Sequence, residues 1–273
     1  MPINFVQSPV KIGTTVVYAN SASISISNPR RGVKSLGNLG FTEQILDGPM
    51  VGSISVSYYI TDNNSAMTDL FGPDLSPAAA IQTFTVNIGE FECLTAVMDS
   101  VVLNIEPNTV IRCDVSMSFY GGYSAGNTPP TAPSVPGGFD GLMHGGKSTI
   151  TTQDGAVNLV WNTDIVSCTY TMTQAVNPVY LLGDLEPNGF SIEETTVTTA
   201  LAGIGFGHIL DFTAVCEGYV RGDITLAGIC ADTSTSIAYK GNVINPEVTL
   251  APNMEINGSL TIFDVTYHSD PPT

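Results

Sequence analysis

The stretch from Ser21 to Gly40 reads SASISISNPRRGVKSLGNLG, and the stretch from Ser167 to Glu186 reads SCTYTMTQAVNPVYLLGDLE. In each, seven residues alternate between small polar and more apolar side chains, and a Leu-Gly-x-Leu sequence follows. The two align without a gap at an offset of 146 residues. Alternation with a period of two is typical of a half-buried β-strand. The pattern therefore predicts the same strand-and-turn unit twice in one chain.

The same period runs through most of the remaining sequence. It is found in GSISVSYYI at 52–60, TFTVNI at 83–88, VIRCDVSMSFY at 110–120 and SLTIFDVTY at 259–267, with Gly, Pro and Asn between the segments. Helix-like patterns are short and fall at 76–82 and near 199–210. The sequence therefore predicts an all-β fold.

A second pair of segments supports an internal duplication. Residues 102–117 align with residues 247–262 at an offset of 145, so that Pro107-Asn108 meets Pro252-Asn253, and 52–62 matches 222–232 with a shift. We interpret the chain as two tandem, duplicated β-sandwich or barrel-like domains at 1–124 and 150–273, joined by a Gly/Pro-rich linker at 125–149. Leu36 and Leu182 are expected at equivalent buried positions. Chance alternation in two strand-rich halves is the alternative.

Composition restricts the classes of function. Only 12% of the 273 residues are charged, while 43% are hydrophobic, which favours a protein that hides much of its surface against copies or partners. The net charge of −17 argues against a duplex-binding surface. Residues 1–124 hold 5 basic and 10 acidic residues, and residues 151–273 hold 2 and 14. The basic cluster Arg30, Arg31 and Lys34 has only uncharged counterparts in the second half.

One motif suggests an enzyme but lacks the required context. GLMHGGKS, from Gly141 to Ser148, matches the G-x-x-x-x-G-K-[ST] phosphate loop. Such a loop needs a buried strand before it and a helix after it. Here a Pro/Gly-rich stretch precedes it and β-forming residues follow, so we interpret it as part of a flexible Gly-rich linker.

No other pattern indicates catalysis or a ligand. His144, His208 and His268 have no metal-binding spacing, residues 62–74 lack the Gly and Glu of an EF-hand loop, and no G-x-S-x-G elbow is present. We therefore expect no catalytic residue, no metal and no cofactor, and hence no enzyme.

The sequence also predicts where the protein is made. Residues 1–13 lack the basic and apolar segments of a secretion signal, and no apolar run is long enough to span a membrane. Five cysteines without a C-x-x-C pair are typical of a reduced, cytosolic environment.

The order of these segments resembles the tail-tube proteins of long-tailed bacteriophages, in the duplicated form in which one chain carries two tube domains. The likeness lies in an alternating strand, KSLGNLGF at 34–41, DGPMVGSISVSYYI at 47–60 and a terminal hairpin with EPN at 106–108. The resemblance implies β-domains whose strands join those of neighbours, with rings that stack into a tube conducting DNA. Six domains per ring would correspond to a trimer of chains.

The resemblance leads to further expectations. It places the protein in the virion tail, made in the host cytoplasm, with other tail proteins as partners and DNA passing without specific binding. Arg30, Arg31 and Lys34 are expected at a contact between rings, away from a net negative bore. Two alternatives remain: another virion component on a related β-fold, such as a tail terminator, neck or head-decoration protein, and an enzyme or ligand-binding β-sandwich.

Overall fold

The computed structural model describes residues 9–33, 36–37, 43–61, 83–131, 141–154, 160–161, 165–204, 219–229, 234–250 and 256–264. The fold of this part is all-β, with a closed six-stranded barrel and additional strands. The strands of the first half are β1 (Val10–Ile12), β2 (Thr15–Ser27), β3 (Arg30–Val33), β4 (Glu43–Leu46), β5 (Val51–Tyr59), β6 (Thr83–Ile88), β7 (Phe91–Ile105), β8 (Arg112–Tyr120) and β9 (Tyr123–Ser124). Those of the second half are β10 (Thr149–Asp154), β11 (Val160–Trp161), β12 (Ile165–Val179), β13 (Gly189–Ile204), β14 (Tyr219–Ala227), β15 (Ser234–Leu250) and β16 (Ile256–Asp264).

The barrel belongs to the first half. Its strands pair in the closed order β7-β6-β1-β2-β5-β8, and β8 returns to β7. Alternation along each strand places one face inside, because successive side chains of a strand point to opposite faces. In β8, for example, Cys113, Val115, Met117 and Phe119 are buried while Arg112 is exposed. The period of two read from the sequence is thus the inside-outside pattern of this barrel.

The second half pairs its strands in the same order. From β15 the path runs through β14 and β10 to β11, and from β12 through β13 and β16 back to β15. This strand order is the same as that of the first barrel if β11 and β12 together correspond to the single strand β2. Every strand pairing of the first barrel then has a counterpart in the second half.

The register agrees as well as the order. In the first half, Ile24 of β2 faces Ile54 of β5, which faces Met117 of β8, which faces Met98 of β7. The corresponding row in the second half is Tyr170, Thr199, Ile262 and Val243. The residues of the two rows differ in number by 146 for the first pair and by 145 for the other three. These are the two offsets read from the sequence.

Two sequence expectations about individual strands are wrong. Residues 52–62 were matched with 222–232, but β5 lies between β2 and β8, and the strand in that place in the second half is β13. β14 instead lies next to β15, as β6 lies next to β7. Every half-buried strand alternates apolar and polar residues with a period of two, so this pattern does not show which strand of one half corresponds to which strand of the other. The helix expected near 199–210 is also wrong for its described part, because β13 extends to Ile204.

Leu36 and Leu182 lie at equivalent sites, but both are exposed rather than buried. Each precedes a glycine in a turn, and these glycines, Gly37 and Gly183, have positive φ values of 96° and 99°. The hydrophobic Leu-Gly-x-Leu pattern is therefore a turn signature here and not a core signature.

Candidate assembly interface

The longest strand of the first half joins the two halves into one sheet. On one edge, β7 pairs with β8. On its other edge, β7 pairs with β6 over its first part and with β12 over residues 100–105. We call this β7–β12 pairing the internal junction. It is antiparallel and places Leu103 opposite Tyr170 and Ile105 opposite Cys168.

The internal junction is closely packed. Leu103, Tyr170 and Met172 are each at most 1% exposed, although they lie where one half ends and the other begins. On the other face of the sheet, the Thr169 hydroxyl donates a hydrogen bond to Asn104 Oδ1 at 3.3 Å. Burial raises the pKa of the Cys168 thiol to about 12, so the group is neutral at ordinary pH and acts as a small apolar side chain. The junction thus has the character of a protein core.

A second connection between the halves comes from the segment 141–148. The Met143 N–H donates to the carbonyl of Ile60 at 2.9 Å, and its own carbonyl accepts from Ile111 N–H at 2.9 Å. The next N–H, that of His144, donates to the carbonyl of Ala227 in the second half at 3.0 Å. The Met143 side chain is fully buried. This part of the chain is therefore held by both halves, in contrast to the flexible connection expected from its glycines.

The same contacts leave no phosphate cradle in GLMHGGKS. A phosphate loop binds through free backbone N–H groups at the start of a helix. Here the N–H groups of the last four residues are all used within the protein, and strand β10 follows at Thr149. The four donations are Gly145 to the Thr109 carbonyl, Gly146 to His144 Nδ1, Lys147 to the His144 carbonyl, and Ser148 to the carbonyls of His144 and Gly145.

The hairpin tip of the second half also lies against the first half. We call this tip, residues 176–192 of β12 and β13, the second arm. Phe190 packs on Tyr120 of β8 with 5.4 Å between the ring centroids. The Glu186 side chain lies against Gly121, where an added Cβ would be 3.1 Å from its Cγ and Cδ atoms. The corresponding first arm is the β3–β4 hairpin, residues 30–46, whose Arg30–Leu46 pairing has the register of Val176–Ile192.

The strand edges equivalent to the internal junction are unpaired. Within the described part of the chain, β2 residues 21–27 pair only with β5, and β15 residues 243–250 pair only with β16. We call these two segments the outer edges. They correspond to the stretches of β12 and β7 that pair with each other. Ile26 is 38% exposed, whereas its counterpart Met172 is fully buried.

The two outer edges differ in the features that prevent strands from pairing between molecules. Such edges are commonly protected by lysines or by covering segments. The β2 edge, SASISIS, carries no charged residue. The β15 edge carries one proline, Pro246, one carboxylate, Glu247, and a register irregularity between Ile244 and Glu247. β7 has a similar irregularity just before the stretch that pairs with β12. The β2 edge and residues 247–250 of the β15 edge are therefore available for strand pairing with another chain.

The structure places part of the predicted basic cluster. Arg30 and Arg31 are exposed on β3 in the first arm. Lys34 lies outside the described residues. No partner carboxylate for this cluster is evident in the described contacts of the first arm.

Besides Cys168, the carboxyl group of Asp99 near the junction has a shifted pKa. Burial raises the pKa of Asp99, and a hydrogen bond donated by the Ser118 hydroxyl at 2.7 Å opposes that rise. Asp99 occupies the bulge of β7 just before the internal junction. Among the residues that the structure describes, no group of three or more metal-ligating side chains is found.

Of the three histidines, His144 lies in the described part of the chain, where its Nδ1 accepts the Gly146 N–H at 3.0 Å. His208 and His268 lie outside it. The described segments also contain no helix of sufficient length and apolar character to cross a bilayer.

Sequence reasoning missed the β7–β12 pairing. The signal that could have found it is the length of β7, at 15 residues, against 6 for β6, its neighbour on the same edge. A strand that is much longer than its neighbour leaves part of that edge for a further strand.

Comparison with known proteins does not extend these observations: no family model matches the chain, and no curated protein is significantly similar to it.

Proposed function

We propose that this chain is a structural subunit that assembles with copies of itself through its strand edges, forming stacked rings of a bacteriophage tail tube through which DNA passes. The general part of this proposal, self-assembly through strands, is supported by the described edges. The specific part, the tail tube, is supported by the sequence resemblance. The protein is accordingly proposed to be a virion component without enzymatic activity or cofactor.

The observation that carries the proposal is the internal junction together with its two unpaired counterparts. One half of the chain already joins the other by adding strand to strand, with a core-like interface. Each chain then presents, one in each half, the two edges that such a junction needs. Because the edges are different, contact between chains is head to tail, and this kind of contact either closes into a ring or continues as a helix. A closed ring of six halves would contain three chains.

The charge of the chain suits a channel for DNA. With 25 acidic and 8 basic residues, a closed ring can present a net negative bore. Phosphates would then be repelled, and no affinity from counterion release would build up along the path. In this arrangement Arg30, Arg31 and Lys34 lie away from the bore, at a contact with the next ring or another tail protein.

The proposal is tested by negative-stain microscopy of the protein expressed in bacterial cytoplasm and purified. We expect hollow rings, and tubes at higher concentration. Rings that never stack would favour the alternative of a terminator, neck or head-decoration protein.

Monomers at every concentration would contradict self-assembly. A gel with duplex DNA at physiological salt adds a second readout, for which we expect no retardation. Retardation by the assembled protein would contradict the proposed negative bore.

A further inference from the structure

We infer that β2 of one chain pairs antiparallel with β15 of a second copy, in a register that places Ile24 opposite Val248 of that copy. This inference rests on the proposed self-assembly and specifies the strands and residues that would form its interface. The partner is a second copy of this chain because the two outer edges are the counterparts of strands that already pair within the chain.

The register follows from the equivalence of the two halves. Tyr170 of β12 corresponds to Ile24 of β2, because each faces the equivalent residue of the next strand, Thr199 and Ile54 respectively. On β7, Leu103 faces Cys113 of β8.

The same position on β15 is held by Val248, which faces Gly258 of β16. Since Leu103 faces Tyr170 at the internal junction, Val248 is expected to face Ile24 between chains.

Neighbouring pairs follow from the antiparallel direction. Ser23 would face Thr249, and Ser25 would face Glu247. At the internal junction the counterparts of Ser23 and Thr249 are Thr169 and Asn104, which form the hydrogen bond described above. Between chains, Ser23 and Thr249 would therefore occupy the positions that the hydrogen-bonded residues Thr169 and Asn104 occupy within the chain. Both pairs are polar.

The apolar side chains of the two outer edges are less buried in the single chain than their counterparts at the internal junction. Ile24 and Val248 are half-buried and packed against the core, whereas Tyr170 and Leu103 are 1% and 0% exposed. Pairing of the two edges would remove the remaining apolar surface from water. Smaller side chains, and the missing N–H of Pro246, make this contact weaker than the internal one. Rings are therefore expected to dissociate on dilution while each chain stays folded.

The arms support the same arrangement. The second arm packs on the end of β8, through Phe190 on Tyr120, next to the internal junction. The first arm has no such partner among the described contacts, and its Val33 and Ile45 are 40% and 47% exposed. If the junction is repeated between chains, the first arm lies against the end of β16 of the second copy. Val33 and Ile45 of the first arm would then be covered by the second copy, as Phe190 of the second arm is covered by Tyr120 within the chain.

The register is tested by cross-linking with Ser23→Cys/Thr249→Cys. Both positions are exposed in the chain, and directly opposed strand residues are close enough for a disulfide. Under mild oxidation we expect covalent dimers and closed multimers to contain most of the protein, and reduction to return the single chain. The two single-cysteine variants measure any disulfide formed with native cysteines. In a second control, Ser23→Cys/Glu247→Cys, one cysteine lies two residues away from the proposed partner position, and this variant should form far fewer disulfides between chains.

The outcomes separate the register from the assembly. Rings without the Ser23–Thr249 linkage, or with more efficient linkage in the displaced pair, would overturn the register and leave the proposed function standing. Absence of any particle larger than a monomer by microscopy would overturn both.

A charge series gives an independent readout. Ser25→Glu would place a carboxylate opposite Glu247 of the second copy, and should raise the concentration at half-assembly about two- to fivefold. Adding Glu247→Lys to it should restore assembly. Failure of this rescue in a variant that folds like the wild type would also contradict the register.

Discussion

Gly145 is predicted to contribute substantially to the stability of the fold, although it belongs to a motif that would ordinarily suggest nucleotide binding. In Gly145→Ala, the added Cβ would lie 1.9 Å from the carbonyl oxygen of Glu106 and 2.8 Å from its carbonyl carbon. The first distance is about 1 Å below the 3.0 Å that real Cβ contacts observe. The neighbouring atoms are backbone, so no flexible side chain can rotate away.

The segment also has little freedom to shift as a unit. The Gly145 N–H is bonded to the Thr109 carbonyl at 2.9 Å, and adjacent residues are bonded to both halves of the chain. We therefore expect Gly145→Ala to lower the free energy of unfolding by about 3 kcal/mol, the upper part of the range for overpacked sites. At a urea m value of about 3 kcal/mol/M, the midpoint would fall by about 1 M.

Gly146→Ala is the matched control, because its added Cβ would be 3.2 Å from the nearest atom, His144 Nδ1, and the site is exposed. We expect a change within about 1 kcal/mol. Lys147→Ala should leave both stability and assembly unchanged, and calorimetry should detect no ATP binding to the wild type. Equal midpoints for the two alanine variants would refute the packing described for this segment, and micromolar ATP binding abolished by Lys147→Ala would refute its structural role.

Leu103 is fully buried at the centre of the internal junction, and Leu103→Ala should lower the free energy of unfolding in urea by about 2–5 kcal/mol. Leu94→Ala is the control, because Leu94 lies on the same strand but is 56% exposed, and its loss should be far smaller. Similar losses for the two variants would contradict the core-like junction. Leu36→Ala and Leu182→Ala should each change the unfolding free energy by no more than about 0.5 kcal/mol, since both side chains are exposed. A loss as large as that expected for Leu103→Ala would contradict the exposure of these two leucines. Burial raises the pKa of Asp99 in the folded chain. Between the ordinary value of 3.8 and this raised value, the folded state binds more protons than the unfolded state, so the unfolding free energy falls as pH rises through that window. Asp99→Asn should lack that fall in a series of urea titrations at increasing pH above 3.8. An unchanged pH profile would contradict the assignment.

The sequence was sufficient for the local features of the fold. The alternation in SASISIS and in VIRCDVSMSFY predicts strands, and the structure confirms β2 and β8 at these places. The offsets of 146 and 145 also reappear as strand registers. These features could be predicted because a strand with one buried face imposes a period of two on the chain, whatever its partner.

Pairing partners and burial of turn residues could not be predicted in the same way. The similarity between 52–62 and 222–232 reflects one shared periodicity, and only hydrogen bonding shows that β13 takes the place of β5. Leu36 and Leu182 are apolar, but each precedes a glycine with positive φ in a turn and is exposed there. The glycines of GLMHGGKS indicated flexibility, whereas Gly145 is required because the backbone at Glu106 lies in contact with it. Each of these depends on contacts between segments distant in sequence.

The mass of the particle in solution tests the central claim of self-assembly most directly. Sedimentation velocity at micromolar concentration and physiological salt should show a species that is a multiple of the 28.7 kDa chain, with three chains as the expected ring, in equilibrium with monomer on dilution. A single 28.7 kDa species throughout the concentration range, with the chain correctly folded, would contradict the account.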